Sequence, residues 1–400
     1  MLEKVDRVID RIDAVRRGSL LQADTADALA AIAEHFQEHR SQLHAFNVNA
    51  TDAAVVENHC ELILLSLFHF LPHIGFLHRA RHPSNPFEVH GPLKRLAQLA
   101  IDSDVRLIIS SEWEFSPYTH PSMGGIPNFI LLGLPASEAD NALLIPIAGH
   151  EFGHPVWVRQ QLAKRFARAI EAGIFNQMRG RWKEVSAALG LTDEAELRQD
   201  QRAISARAQL GGFVRAQCEE IFCDLFGLFV FGESYCHAFA HLLAPGLAAD
   251  KTFSYPTARR RAEILEVAAP VFGTAAPAAF SQRFRASPPG DLFPELMSAT
   301  VSDLLPQLID AVASYASNRG LTVPGTVGRV EAKLSLERIT PAPASSSLPE
   351  IMCAGWDLWT NDQLWASTPY LRNERGRLIN DLVLKSVQGQ DYWHFIDAAP

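Results

Sequence analysis

The chain has 400 residues, with 36 Lys plus Arg against 45 Asp plus Glu and a formal net charge of −9. Hydrophobic residues make up 48% and charged residues 20%, which is typical of a globular protein and excludes a disordered, collagenous or coiled-coil chain. The acidic balance disfavours a general phosphate-binding surface, so we expect no nucleic-acid partner.

The cysteines and the apolar stretches bear on the compartment. The five cysteines are an odd and sparse set, which is typical of free thiols in a reducing compartment. The N-terminus lacks the features of a secretory signal, and the apolar stretch 62–77 is interrupted and shorter than the roughly 20 residues of a spanning helix. We therefore expect a cytoplasmic, soluble protein without a membrane partner.

The first third of the chain predicts helices and then strands. Apolar residues at three- and four-residue spacing predict a helical hairpin over 1–45 and a third helix over 54–80, which either ends near Pro72 or continues past it with a kink. A helix near 93–101 precedes a β-branched run at 105–110, which predicts a strand, and 128–134 is a second strand candidate. The second strand either lies at an edge, where it could pair with an extended peptide substrate, or is a plain core strand.

From residue 142 onward the pattern is almost wholly helical. The predicted helical stretches are 142–172, 180–190, 194–240, 258–268, 297–318 and, after a Pro- and Ser-rich stretch at 340–349, 378–387.

One string of residues points to metal chemistry: His150-Glu151-Phe152-Gly153-His154. Two histidines four residues apart on a helix project from one face, so both imidazoles can bind a single Zn²⁺ ion. The intervening glutamate would face a water molecule activated by the metal and act as its general base. Three other pairs with this spacing are interpreted as structural or surface residues: His35/His39, His69/His73 and His237/His241.

A second segment supplies the carboxylate that such a site needs. Residues 218–231 are apolar nearly all round and should form a buried helix, yet Glu220 and Asp224 lie on one face of it. Burial of two unpartnered carboxylates costs several kcal/mol, so a cationic group should face them. A zinc site with Glu220 as third ligand and Asp224 behind a histidine meets this need. The alternative is two acids at a solvated helix end or paired with an arginine such as Arg215.

H-E-x-x-H followed by E-x-x-x-D resembles the signature of the gluzincin metallopeptidases, among them the thermolysin-like enzymes and the CAAX prenyl endopeptidase family. The resemblance implies three zinc ligands: His150, His154 and Glu220. It also implies Glu151 as general base and Asp224 as support for a ligand. Glu219 is the neighbouring alternative, but only Glu220 stands four residues before Asp224. The resemblance covers about residues 126–265, and the transmembrane segments of the CAAX family are absent.

A weaker match follows at Tyr255-Pro-Thr-Ala-Arg-Arg-Arg261-Ala-Glu-Ile. It resembles the His-Pro-x-x-x-x-Arg-Ile segment of the CAAX endopeptidase family, with Tyr in place of His. A zinc hydrolase needs a second donor for the developing oxyanion, and our hypothesis gives this role to Tyr255. Arg261 would orient the loop through a buried acid or donate directly. The alternative places the Tyr255 hydroxyl on a backbone carbonyl and Arg261 at the surface.

Two prolines bear on the motif helix. Pro155 follows the second motif histidine and predicts a kink or an end of the helix there, whereas Pro146 suits a first turn and places the start near Ile145. A basic stretch over 159–181 is interpreted as a solvated helix face rather than a nucleic-acid site.

The predicted fold class is α+β and mostly α-helical, with a zincin-like core and a small mixed β-sheet beside the motif helix. We expect an N-terminal helical region over 1–85, a metallohydrolase core over 86–270 with a helical insert at about 159–215, and a C-terminal helical region over 271–400.

The predicted function is a zinc-dependent metallopeptidase with a peptide or protein substrate and Zn²⁺ as cofactor. Two alternatives stay open: a non-catalytic zinc-binding scaffold, and a zinc hydrolase that acts on a non-peptide bond. Glu151 argues against the scaffold, because a scaffold needs no base at that position. The sequence does not indicate which oligomeric state the protein adopts.

Overall fold

The computed structural model describes residues 1–18, 22–46, 51–82, 87–123, 126, 128–246, 253–286, 291–366 and 368–397. The chain divides into two compact units, Met1–Asp140 and Asn141–Pro400. The domain boundaries predicted near residues 85 and 270 fall inside these two units.

The first unit contains helices and a small sheet, as predicted. Its elements are α1 (Leu2–Arg16), α2 (Ala23–Ala45), α3 (Ala53–Arg79), α4 (His90–Ala100), β1 (Arg106–Glu112), β2 (Tyr118–His120) and β3 (Phe129–Pro135). The sequence did not predict β2, since three residues are too few to show an alternation pattern.

The sheet is mixed, with the strand order β1-β3-β2. β1 pairs with β3 in parallel and β2 pairs with β3 antiparallel, with Tyr118 opposite Gly133. β3 is therefore the central strand, and the interpretation of 128–134 as an edge strand for substrate pairing is wrong. Its residues 129–132 are almost fully buried, which agrees with the core-strand alternative. The sheet belongs to the first unit, whereas the metal motif belongs to the second.

Helix α3 is longer than its apolar stretch suggested. It runs for 27 residues, passes through Pro72, and begins after Asp52, whose side chain accepts a hydrogen bond from the backbone N–H of Ala54. Among the described residues it is the one helix long and apolar enough to cross a membrane, so the argument from a short stretch was wrong. One such helix is weak evidence, since the core helix of a soluble protein passes the same test. The expectation of a soluble protein stays a prediction.

The second unit is helical throughout its described secondary structure. Its α-helices are α5 (Ala148–Arg159), α6 (Leu162–Gly180), α7 (Trp182–Leu189), α8 (Glu196–Gln199), α9 (Gln201–Phe231), α10 (Glu233–Leu243), α11 (Ala258–Val271), α12 (Leu292–Asn318), α13 (Thr326–Glu337), α14 (Leu348–Thr360), α15 (Asp362–Ala366) and α16 (Arg372–Asp397). The fold is thus mostly helical with a small mixed sheet, which confirms the predicted class at that level.

The Pro- and Ser-rich stretch at 340–349 is in part a helix start. Ser347 caps α14 in a capping box with Glu350, and Pro349 lies in the first turn, where a proline is tolerated.

The two prolines of the motif region act differently from expectation. Residues Ala142–Ile147 form a 3-10 helix that contains Pro146, so α5 itself begins at Ala148 rather than near Ile145. Pro155 does not end α5, which continues to Arg159. Both motif histidines consequently lie on one uninterrupted helix.

Two glycines bring α5 into backbone contact with α9. A Cβ atom added at Gly153 would lie 2.6 Å from the Cα atom of Cys223, and one added at Gly149 would lie 2.9 Å from the Cα atom of Gly227. Real Cβ atoms do not approach backbone this closely, and a helix backbone cannot shift as a flexible side chain does. The histidine face of α5 therefore lies against α9 because positions 149 and 153 lack side chains.

We predict that Gly153→Ala forces the two helices apart. Overpacking of this kind costs about 1–3 kcal/mol, and the separation should also weaken metal binding because the candidate ligands lie on both helices. Thermal unfolding and zinc titration measure both effects. Gly180→Ala is the matched control, since no heavy atom lies within 4 Å of a Cβ at that helical position. Equal stability and zinc affinity for the two variants would contradict this account.

Candidate metal centre

Three candidate ligand side chains converge between α5 and α9. The Nε2 atom of His150 lies 3.4 Å from Glu220 Oε2, and the Nε2 atom of His154 lies 3.9 Å from Glu220 Oε1. Ligand atoms about 2.0–2.1 Å from a tetrahedral zinc ion lie about 3.3 Å from each other. The first distance fits this spacing, and the second is about half an ångström longer. Because the two distances involve different oxygens of Glu220, a single ligating oxygen also requires the carboxylate to turn. The residues present therefore fit a zinc ion with two imidazoles and one carboxylate.

A carboxylate stands behind each histidine. Asp224 Oδ1 lies 2.9 Å from His150 Nδ1, and Glu219 Oε1 lies 3.0 Å from His154 Nδ1. Each acid can accept the Nδ1–H of its ring, which fixes the tautomer and leaves Nε2 as the ligand atom. The sequence predicted one such support, and the structure brings together two. Glu219, the alternative third ligand, takes the supporting position instead.

Asp224 is the centre of a buried hydrogen-bond network. Its side chain has no exposed surface, and Arg261 donates to both of its oxygens, from Nε and from Nη2, at 2.7 Å each. The Tyr235 hydroxyl donates to Oδ1 at 2.7 Å. Burial alone would raise the pKa of Asp224, but the charge and hydrogen bonds of Arg261, with those of His150, hold that pKa well below its usual range. Asp224 is therefore a carboxylate whose charge is fully compensated.

Arg261 is held inside the protein and not at the surface. Its side chain is 14% exposed, pairs with Asp224, and lies 5.0 Å above the ring of Phe239. The buried acid predicted for Arg261 is therefore Asp224, and the arginine that pairs with this acid is Arg261 rather than Arg215. The sequence analysis did not predict the role of Tyr235. A buried tyrosine usually has a hydrogen-bond partner, but the sequence does not show which residue that partner is.

Burial and neighbouring charges shift the pKa values of His150 and Glu151, the first two residues of the motif. Burial alone would lower the pKa of His150, but hydrogen bonds to Asp224 and Glu220 raise it to about 10. A metal ion must therefore displace a proton from this ring. Glu151 is 4% exposed, and burial raises its pKa against the opposing charges of the two histidines. A raised pKa suits a base that works near neutral pH.

A second set of ligand atoms competes with this assignment. Among the described residues, one group of possible ligands has all its atoms within 4.8 Å of one another, and it consists of His150, His154 and Cys223. The two sets share both histidines and differ in the third ligand. We favour Glu220, because burial and nearby carboxylates raise the pKa of the Cys223 thiol well above its usual value, which disfavours the thiolate that binds metal. The Nδ1 atoms are also already engaged by carboxylates.

Tyr255 is close enough to the acidic residues of the candidate centre for their charges to affect its pKa. The negative charge of Glu220 is the main cause that raises the pKa of Tyr255, followed by partial burial. The preceding loop is fixed to α9, since Gln217 Nε2 donates to the Phe253 carbonyl at 2.8 Å and the Phe253 ring stacks on Phe213 at 5.2 Å. This attachment point is one turn before Glu220, and 52% of the Tyr255 side chain is exposed. The phenol is therefore accessible beside the candidate centre.

No family model, no curated protein and no solved structure matches the chain. The likeness to gluzincin metallopeptidases consequently rests on the residues and their geometry alone.

We predict one zinc ion per chain, bound through Glu220 and not through Cys223. Glu220→Gln should lower the zinc content sharply, because it removes the charged ligand between the two Nε2 atoms. Cys223→Ala should keep about one equivalent, since the thiol is not a ligand. Elemental analysis after zinc-replete expression measures both. Metal loss in the alanine variant alone would show that the thiol is the third ligand.

Proposed function

We propose that the chain is a zinc-dependent metallopeptidase with a zincin-like core, acting on a peptide or protein substrate in the cytoplasm. One observation carries the proposal: Glu220 lies between the Nε2 atoms of His150 and His154, while the buried carboxylate of Glu151 adjoins the same histidines. This arrangement supplies three ligands and a base at one point.

A zinc ion held by these residues would polarise a scissile carbonyl and make a water molecule more acidic. The protein's own groups do the rest. Glu151 accepts the proton of that water on its carboxylate and later passes it to the leaving amine. Tyr255 donates its hydroxyl hydrogen bond to the oxyanion that develops on the carbonyl. Arg261, through Asp224, keeps the ring of His150 in place.

The buried position of Glu151 favours an enzyme over a zinc-binding scaffold. A carboxyl group that is 4% exposed costs free energy to desolvate, and a purely structural site would be more stable with an apolar residue there. The base is needed only if a proton is moved. A zinc hydrolase that acts on a non-peptide bond uses the same groups, and the substrate distinguishes the two enzymes.

We predict that Glu151→Gln abolishes hydrolysis and preserves zinc binding. The substitution removes the proton acceptor but no ligand, and the loss of a general base typically lowers the rate about 10²–10⁴-fold. The measurement is a peptide-library digest together with metal analysis of the same preparation. A glutamine variant as active as the parent would rule out this base. A parent that binds zinc and cleaves esters but no peptides would support the non-peptide alternative.

We predict that Tyr255→Phe lowers kcat with little change in KM. An oxyanion donor acts mainly in the transition state, and its removal typically costs about 10²–10³ in rate. Steady-state kinetics on a peptide found in the digest gives both constants. Tyr392→Phe is the control, because that tyrosine is also exposed and lies on α16. Unchanged kcat in the Tyr255 variant would exclude the phenol as a donor.

A further inference from the structure

Histidines are concentrated in the first unit, which holds ten of the 15 in the chain. Six of them line the two interfaces of α3, with α2 on one side and β2 on the other. The ring centroids of neighbours in this histidine array lie 4.7–5.6 Å apart, in the pairs His39–His59, His35–His39, His69–His73 and His73–His120. The candidate metal centre uses none of these residues.

The interface of α3 with α2 leaves imidazole nitrogens unsatisfied. The Nε2 atoms of His35 and His39 each lie 3.3 Å from the Ser66 hydroxyl, which can donate to one ring and accept from the other only while both rings are neutral. Within the described part of the chain, the buried atoms His39 Nδ1 and His59 Nε2 have no hydrogen-bond partner. The facing acid is Glu38 of α2, which is exposed and acts on the two α2 rings through its charge only.

The interface of α3 with β2 also contains a buried imidazole nitrogen without a hydrogen-bond partner among the described residues. His73 is 6% exposed, lies between His69 and His120, and has an Nδ1 atom with no partner among the described residues. The facing acids are Glu112, which Arg79 of α3 and Ser110 already bond, and the exposed Glu114. Tyr118 of β2 is the remaining titratable neighbour, and burial raises its pKa to about 12, so it stays neutral.

Proton binding therefore opposes the packing of α3. Burial, and then the neighbouring imidazoles, lower the pKa of His73 to about 4, and burial also lowers the pKa values of His35, His39 and His120. The packed state thus binds fewer protons than a state in which these rings meet water. Its stability falls as the pH drops from the ordinary histidine value near 6.5 toward 4.

Helix α3 also carries an apolar surface that no described residue covers. Five large side chains on it are about half exposed or more: Val55 near its start and, further along, Leu62, Leu65, Phe68 and Leu71. The last four lie close together along the helix. We call these four residues the apolar face. The helix is also the one described helix whose length and composition suit a bilayer.

We propose that α3 is a lipid-binding element, which the histidine array retains in the first unit at neutral pH and releases onto an anionic membrane surface in acid. Charge selects this occupant over a second copy of the chain. Residues 53–79 contain two glutamates, one arginine and four histidines, so full protonation changes their charge from −1 to +3. Two such helices repel each other, whereas an anionic lipid surface attracts the helix and accepts its apolar face.

Cosedimentation of the full-length protein with vesicles tests the proposal. The vesicles contain phosphatidylcholine alone or with phosphatidylglycerol, at about pH 7.5 and about pH 5. We expect at least about tenfold more binding to the anionic vesicles at the lower pH, as several new positive charges should produce. Phe68→Glu should abolish the acid-induced binding. Val327→Glu on α13 is the matched control, because Val327 is 72% exposed and Phe68 is 76% exposed.

The histidine array is tested separately with the double variant His73→Gln and His120→Gln. It should keep its circular dichroism at neutral pH and bind less to anionic vesicles in acid, since glutamine stays neutral at two of the six positions of the array. If the double variant does not fold, the half-buried His120→Gln alone is scored in the same way.

Equal binding at both pH values, undiminished binding by Phe68→Glu, or undiminished binding by a folded glutamine variant would each overturn the proposal. Acid-induced dimers without lipid binding would also overturn it, and would assign the apolar face to a second copy.

Discussion

The candidate centre depends on how closely two helices can approach. Histidine side chains on α5 reach a carboxylate on α9 only if the two backbones touch, and they touch where Gly149 and Gly153 replace larger residues. Gly149 directly precedes His150 in the sequence, and Gly153 directly precedes His154. Each histidine of the motif therefore has a glycine next to it where α5 touches α9. The spacing of four therefore serves the packing of the two helices, and it also places both histidines where the proposed metal ion would bind.

Charge is the second constraint on this helix pair. The centre buries two acidic side chains of α9 and one of α5. Their desolvation would cost too much free energy without positive charges and hydrogen-bond donors beside them. Arg261 and the two histidines supply that compensation in the structure as it stands, and the Tyr235 hydroxyl adds a neutral donor to Asp224. The network is connected at every step from Arg261 to the ligand atom of His150. A buried hydrogen-bond network with unsatisfied members costs free energy. The loss of any one member should therefore destabilise the positions of the others.

The sequence predicted the candidate residues of this centre better than their surroundings. The spacing of His150, His154, Glu220 and Asp224 follows from helix geometry, which is local, and the structure brings the four together. Glu219 and Tyr235 act through contacts between helices, which no local pattern reveals. The edge assignment of the strand at 128–134 failed for the same reason, because the strand that covers it, β2, has only three residues. Pro155 was the other source of error, since it lies inside α5, which continues to Arg159 instead of ending at the proline.

X-ray absorption at the zinc edge of the purified protein tests the central claim most directly, because it reports the ligand atoms themselves. The account predicts one zinc ion per chain surrounded only by nitrogen and oxygen at about 2.0–2.2 Å, with two imidazole contributions. A sulfur neighbour at about 2.3 Å would place the metal on Cys223 rather than Glu220, and a zinc-replete protein without bound metal would contradict the account altogether.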